Sequence, residues 1–152
     1  MEIIIEITFE SVQLVKLVEW LTKIKSESIL SNFQTSLSIE EELFFKPHIE
    51  SFNLLNNLPD GSFYFNFSNF NFNGIALSNV GIQVYKFKNE YDINSHFNEK
   101  EIRQKYSIDL IHNWARIISE DLKARDYYCG YEPSYDKTTQ FFSQKFIGPL
   151  KW

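Results

Sequence analysis

Ile3, Ile5, Ile7 and Phe9 alternate with Glu2, Glu6 and Thr8, and a period of two predicts a strand at the start of the chain. Ile4 shares the polar side, so this strand is expected to be partly covered on both faces. Ser11 stands where an N-cap belongs, with a hydroxyl able to accept from an orphaned backbone N–H. Behind it Leu14, Leu17, Val18, Leu21 and Ile24 recur at helical spacing, with Lys16, Glu19 and Lys23 on the other side. The helix is expected to end near Lys25 or Ser26.

The next stretch carries a weaker pattern. Ser and Asn around Ser26–Asn32 read as a loop. Phe33, Thr35, Leu37 and Ile39 share one phase, which predicts a short strand over Phe33–Ile39. Glu40–Phe45 fits no single template, and Pro47 stops any long helix through it. Ile49, Phe52 and Leu55 suggest a short helix over Ile49–Leu58. Leu58-Pro59-Asp60-Gly61 is a turn, because Pro presets φ and Gly tolerates its positive values.

Gly61–Tyr85 holds 25 positions without a charged residue. Phe63, Phe65 and Phe67 share one phase; Phe70 and Phe72 take the opposite one. A bulge or tight turn is therefore expected near Ser68-Asn69. Asn73-Gly74 is a hairpin signal, and Asn79–Gly81 reads as a second turn. Ile82–Lys88 alternates again, with Tyr85 and Phe87 on one side. The stretch predicts two or three antiparallel strands placed inside a sheet, since an uncharged edge invites aggregation. Asp60, Lys86 and Lys88 flank it as gatekeepers.

Tyr91–Phe97 is a further short strand. Asn98 caps the segment after it, with Glu101 at the capping-box position, and Ser107 offers a second cap. Ile108, Ile111, Ala115, Ile118 and Leu122 mark one helix face with Trp114 beside it. Asp109 in the first turn and Lys123 and Arg125 in the last suit the helix dipole, and the helix is expected to end around Lys123–Asp126. Gly130 and Pro133 enforce a loop, Thr138–Ser143 reads as a final strand, and Gly148-Pro149 ends regular structure. The order predicts an α+β fold: an antiparallel β-meander sheet with two main helices packed on one face, loosely ferredoxin-like. Residues 1–152 are read as a single domain, since no linker or repeat divides them.

Charge adds an asymmetry. The net charge is −5. Residues 1–60 carry four Lys, no Arg and ten acids; residues 61–152 carry eleven basic and ten acidic residues. The densest run is Glu40-Glu41-Glu42, a place where a basic partner would be steered or simply a solvated face. General attraction to nucleic acid or an anionic membrane is not expected. No apolar run approaches the ~20 residues of a membrane-spanning helix, and no secretory leader pattern opens the chain. A single cysteine, Cys129, excludes an intrachain disulfide and fits a reducing, cytoplasmic setting.

Candidate chemistry is sparse. His48, His96 and His112 lack metal-ligand spacing, so neither a metal nor a cofactor is expected. Cys129 between Tyr128 and Gly130 reads as a buried, inert thiol. No hydrolase-elbow, dinucleotide or phosphate-loop motif occurs. Tyr127–Asp136 is the segment with a site-like composition: four Tyr, Glu132 and Asp136 within ten residues. Tyr joins a flat apolar body to a hydroxyl and favours interfaces and ligand grooves. The same loop read structurally has Pro133 as a stiffener and the acids as local caps. Phe63, Phe65, Phe67 and Tyr85 resemble a base-stacking platform only superficially, because no basic groove lies beside them; they are expected in the core.

Gly130-Tyr131-Glu132-Pro133, Asp136, Thr139, Phe142 and Gly148-Pro149, over about residues 127–149, resemble a pattern in small bacterial immunity-type proteins of polymorphic toxin systems. That resemblance implies a cytoplasmic inhibitor that binds and blocks a cognate toxin without catalysis. The expected function is thus a non-enzymatic protein-binding module that occludes a basic toxin domain. Its expected contact residues are Glu40, Glu41 and Glu42, or alternatively Tyr131, Glu132, Tyr135 and Asp136. A small-ligand-binding protein or enzyme with a pocket at Tyr127–Asp136, and a subunit of a larger assembly, are the other readings. The sequence leaves the oligomeric state open.

Overall fold

A computed structural model describes residues 2–152. Its frame is a seven-stranded sheet in the order β2-β3-β4-β5-β1-β6-β7, antiparallel at every pairing. The strands are β1 (Ile4–Val12), β2 (Ile29–Thr35), β3 (Gly61–Phe72), β4 (Ile75–Phe87), β5 (Glu90–Asn98), β6 (Asp126–Tyr131) and β7 (Gln140–Ser143). The helices are α1 (Leu14–Glu27), α2 (Ile49–Asn56), α3 (Glu99–Lys105) and α4 (Ile108–Leu122), with 3₁₀ turns at Glu41–Phe45 and Lys137–Thr139. The α+β expectation holds, with α1 and α4 as the two main helices. The order β4-β5-β1-β6 with helices after β1 and before β6 is the part that fits a ferredoxin-like plan. Insertion of β2 and β3 after α1, and addition of β7, keep the likeness loose.

Alternation along the strands decides which side is buried. Ile5, Ile7 and Phe9 of β1, Phe63, Phe65 and Phe67 of β3, Ile82 and Val84 of β4, and Ile93 and Phe97 of β5 are all buried. They meet Leu17, Leu21 and Ile24 of α1 and Ile111, Ala115 and Ile118 of α4 in one core. Aromatic contacts knit it: Trp20 lies edge-on to Phe9 and Phe72, and Trp114 to Phe70 and Phe97. The Trp114 indole N–H donates to the Phe72 carbonyl at 3.1 Å, satisfying the polar end of a large buried ring. Phe44, from the 3₁₀ turn Glu41–Phe45, fills the core over β3 with ring centroids 4.8 and 5.2 Å from Phe63 and Phe65.

Three boundaries obey the expected chemistry. Asn98 accepts from the Glu101 amide and Ser107 from the Leu110 amide, so both caps are made. Asn73-Gly74 forms the β3–β4 turn with positive φ at both residues. The phase change near Ser68-Asn69 is present too, with Asn69 at φ 48°. Both strands change face together there: Phe67 pairs with Val80 and Phe70 with Leu77, all four buried.

Other expectations fail for local reasons. Ser11 does not cap α1. It sits within β1 at φ 50°, where the register with β5 shifts, and its amide donates to Asp92 Oδ1 at 2.7 Å. Gln13 occupies the cap position without a side-chain bond. Ser26–Asn32 is not all loop, because Ile29–Asn32 begins β2, an edge strand whose Ile29 stays exposed. Conversely Ser36–Ile39 is not strand. Asn79–Gly81 is no turn but the interior of β4. Gly81 leaves room for the Tyr64 ring: a Cβ there would stand 2.9 Å from the Tyr64 hydroxyl, and the ring would have to shift. Gly130 does not open a loop, since β6 runs to Tyr131. Tyr85 is not a core residue; it is 44% exposed on the face opposite Phe63, Phe65 and Phe67.

Candidate partner-binding surface

The strand positions that do not face the helices form a second, open face. Pairing places them in rows across the sheet. One row runs Asn32, Asn66, Gly81, His96, Glu6 and Gly130; the next runs Gln34, Tyr64, Gln83, Asn94, Thr8 and Tyr128. A third runs Ser62, Tyr85 and Asp92, and on to the paired Glu10 and Asp126. Apolar alternation on one side of each strand obliges polar residues on the other. Among the described residues no helix covers these rows, and apart from Glu6 and Thr8, which are buried, this face is the place where the fold leaves hydrogen-bonding groups and aromatic rings available together.

The β6–β7 connection folds over one end of it. Ser134 is buried, and its amide and hydroxyl both donate to Glu6 Oε1, at 3.1 and 2.7 Å. Its hydroxyl also shares a 2.6 Å bond with Thr8. The Glu6 carboxylate meets His96 Nε2 at 2.9 Å. Burial alone would raise the Glu6 pKa; the bonds from His96 and Ser134 outweigh it and hold the carboxyl below its ordinary value. Glu132 completes a group with Glu6 and His96 in which one ligand atom of each lies within 4.8 Å of the others. The sequence shows no such set, because its members come from β1, β5 and the β6–β7 connection. Ser134 and His96 already engage the Glu6 carboxylate, so its first role is to anchor that connection.

At the neighbouring corner Glu10, Asp92 and Asp126 crowd together. Burial and then repulsion from Asp92 and Asp126 raise the Glu10 pKa, and Arg125 only partly opposes this, its guanidinium lying 3.8 Å from the Glu10 carboxylate. A groove of about 780 Å³ opens beside them, lined by Glu10, Asp126, Tyr128, Tyr135, Phe146 and Ile147 among others. Tyr135, Phe146 and Ile147 are 71, 67 and 85% exposed, well beyond what a settled core contact would leave.

The residues singled out from sequence fall into two groups. Glu40 and Glu42 are exposed and Glu41 is half-buried, at the start of the 3₁₀ turn whose Phe44 plugs the helix-side core. Tyr131, Tyr135 and Asp136 lie toward the β6–β7 edge, while Glu132 reaches back beside Glu6 of β1 and His96 of β5. The turn Glu41–Phe45 packs on the helix-covered side and Glu132 stands over the open side with Glu6 and His96, so the two groups do not form one patch. Tyr131 is committed internally: its hydroxyl donates to Glu99 at 3.1 Å and its ring meets Phe141 edge-on. Asp136 caps the turn Lys137–Thr139 by accepting from the Thr138 amide and hydroxyl. Glu132, Tyr135 and Asp136 are exposed.

The pocket expected within Tyr127–Asp136 is displaced. Tyr127–Tyr131 lies within strand β6, with Tyr127 and fully buried Cys129 turned to the core. The nearby groove takes Tyr128 and Tyr135 from that segment but neither Glu132 nor Asp136. Sequence reasoning misses the open face itself, whose residues arrive singly from six strands.

Comparison with known proteins adds a family and a fold. A family model described as PABL017 Cdi1I immunity protein matches residues 3–146. Among solved structures, the crystal structure of the toxic C-terminal tip of CdiA from Pseudomonas aeruginosa in complex with immune protein contains a chain similar to this one. The TM-score is 0.67 and the identity 23%, over 99% of each chain. That degree of identity shows a shared fold. No curated protein matches the chain.

Proposed function

The chain belongs to the Cdi1I immunity protein family, as a protein-binding inhibitor of a cognate toxin, and from that premise we propose that it acts by occlusion, seated on the toxic domain of a CdiA-type protein. The family match over residues 3–146 carries this reading. The similar fold comes from a structure that holds a CdiA toxic tip together with its immune protein, which supports a toxin domain as the partner here. Occlusion is stoichiometric and needs no bond-breaking step: the inhibitor desolvates a surface the toxin uses and holds it with a few anchored side chains.

Within this reading Glu40, Glu41 and Glu42 steer a basic partner by their field. Glu132, Tyr135 and Asp136 are the accessible contacts of the C-terminal group, while Tyr131 shapes the segment that carries them. The place of action is the cytoplasm. Cys129 is the single cysteine and fully buried, its thiol pKa pushed well up by burial, as suits a reducing compartment. Among the described residues no helix is long and apolar enough to cross a membrane.

Growth protection tests the proposal. Bacteria producing CdiA toxic tips one at a time, the Pseudomonas aeruginosa tip included, are given this chain from a second plasmid. Rescue from one tip, with a complex of one toxin to one inhibitor on size exclusion, is the expected result. Continued killing by every tip, with no complex formed, overturns it.

A further inference from the structure

The strand positions of the open face carry acids and no Lys or Arg. Glu6, Glu10, Asp92 and Asp126 lie in its rows, Glu90 and Glu132 at its margins, and no Lys or Arg occupies an outward strand position from β2 to β6. Lys137 and Lys145 line the adjoining groove, but both lie beyond β6, so the acid excess belongs to the rows. Asn32, Asn66, Gln83 and Asn94 add amides between the acids. Tyr64, Tyr85, Phe87 and Tyr128 rise from the same side, with Tyr85 44% and Phe87 61% exposed. The rings lie two to four residues or one to four strands apart, so they sit among the acids rather than in a separate apolar patch.

We propose that this open face, continued into the groove beside Tyr128, is the surface that receives the toxin, and that it receives a Lys- and Arg-bearing surface of that domain. This deepens the inhibitory reading above and rests on it. Charge complementarity selects the occupant. Acidic rows without an internal Lys or Arg attract a basic surface and repel both nucleic acid and a second copy of the same face. The crowded Glu10, Asp92 and Asp126 are opposed only in part by Arg125, so a partner's guanidinium or ammonium relieves repulsion already present. Tyr and Phe rings beside carboxylates suit Arg in particular, which stacks on a ring while its N–H groups reach an acid.

The dimensions fit as well. From β2 to β6 is five strand spacings, about 24 Å, and three rows at two residues each span about 20 Å. That projection is about 500 Å² before relief is counted. The groove and the segment carrying Tyr135 extend it towards the ~800 Å² that each partner contributes to a standard interface.

The test uses the full chain and the toxic tip that it protects against in the growth assay. Gln83→Lys with Tyr85→Lys places two cations at the centre of the open face. Glu27→Gln with Asp121→Asn makes the same change in net charge on the outer surfaces of α1 and α4. The open-face pair is expected to weaken the complex by at least ~30-fold, and the helix-side pair by no more than ~2-fold at 0.15 M salt. Amide hydrogen exchange on the unaltered chain supplies a readout free of folding effects: slowing is expected in β4, β5 and the 132–136 segment on complex formation. Equal affinity for both variants, or protection confined to α1 and α4, overturns the surface while the inhibitory function stands. Self-association of the chain through β4 and β5 in light scattering overturns the choice of occupant. Killing by every tip overturns both proposals together.

Discussion

Tyr64 and Phe65 are neighbours in β3 and face opposite worlds. Phe65 is fully buried, its ring within 5.1–6.4 Å of Phe33, Phe44, Phe45 and Phe67. Tyr64 lies half-buried across Gly81, among Asn, Gln and Ser side chains. The same contrast repeats along β1, where Ile5, Ile7 and Phe9 interleave with Glu6, Thr8 and Glu10. One face of the sheet stores the folding free energy; the other is shaped and hydrogen-bonded but contributes much less apolar burial. The two faces can therefore be altered nearly independently, which is useful for an inhibitor whose contact surface must fit one toxin while its core keeps one fold.

The largest expected effect tests that division directly. Phe65→Ala removes a ring from an aromatic cluster and should destabilise the protein by about 3–5 kcal/mol. Tyr64→Ala, one residue away, should cost about 1 kcal/mol. Urea unfolding followed by tryptophan fluorescence measures both. Comparable losses would mean that the open face carries a core of its own.

Glu6 is the exception, a polar-face residue with a structural task. Replacing it by Gln weakens the charge-assisted bonds to Ser134 and His96, with an expected cost of about 1.5–3 kcal/mol at neutral pH. Its folded pKa lies below the ordinary value of 4.5. Its contribution is thus present above that value and is lost as pH falls through the folded pKa. The stability gap between the native chain and Glu6→Gln should shrink progressively below about pH 4.5, read from urea midpoints at several pH values. A gap that grows in acid would assign the bonds to a protonated carboxyl.

Gly130 marks where the division between faces gives way to backbone contact. A Cβ there would stand 2.6 Å from the Thr139 carbonyl oxygen, and backbone yields less readily than a side chain. Gly130→Ala should cost about 1–3 kcal/mol and raise hydrogen exchange in β7 more than in β3. Uniform loss across the sheet would show that β6 and β7 are not a separable edge.

These residues also show why some features are legible in the sequence and others are not. α4 is readable because its apolar stripe is wide and both its Ser107 cap and that of Asn98 before α3 obey local chemistry. The uncharged 61–85 stretch is readable as inner strands, down to the phase change at Asn69, because its buried rings have period two. β2 is readable only over Phe33–Thr35, since its first half, with exposed Ile29, Ser31 and Asn32, lacks that period. Asn79–Gly81 and Gly130 mislead for one reason: Gly signals a turn locally, but here each Gly answers a group distant in sequence, Tyr64 or Thr139. The C-terminal segment points to the right family, while the open face stays invisible. Each row is assembled by pairing, one residue from each strand, and no linear spacing records which residues share it.

The smallest expected effect is the sharpest probe of which face meets the partner. Glu41 lies on the helix-covered side, where Phe44 packs on Phe63 and Phe65, more than ~10 Å through the sheet from the open rows. Its field reaches that far only in dilute salt: the Debye length is about 30 Å at 0.01 M and about 8 Å at 0.15 M. Glu41→Lys should therefore leave stability unchanged and slow toxin association by ~2–3-fold at 0.01 M salt. At 0.15 M the rate should return to that of the unaltered chain, with dissociation the same at both. Stopped-flow association and surface-immobilised dissociation separate the two rates. Gln83→Lys, in the open rows, should slow association and speed dissociation at both salt concentrations, because contact and not only field is changed there. Faster dissociation of Glu41→Lys at 0.15 M would place Glu41 in direct contact, and the toxin would then grip the covered side at the β2 end rather than the open face.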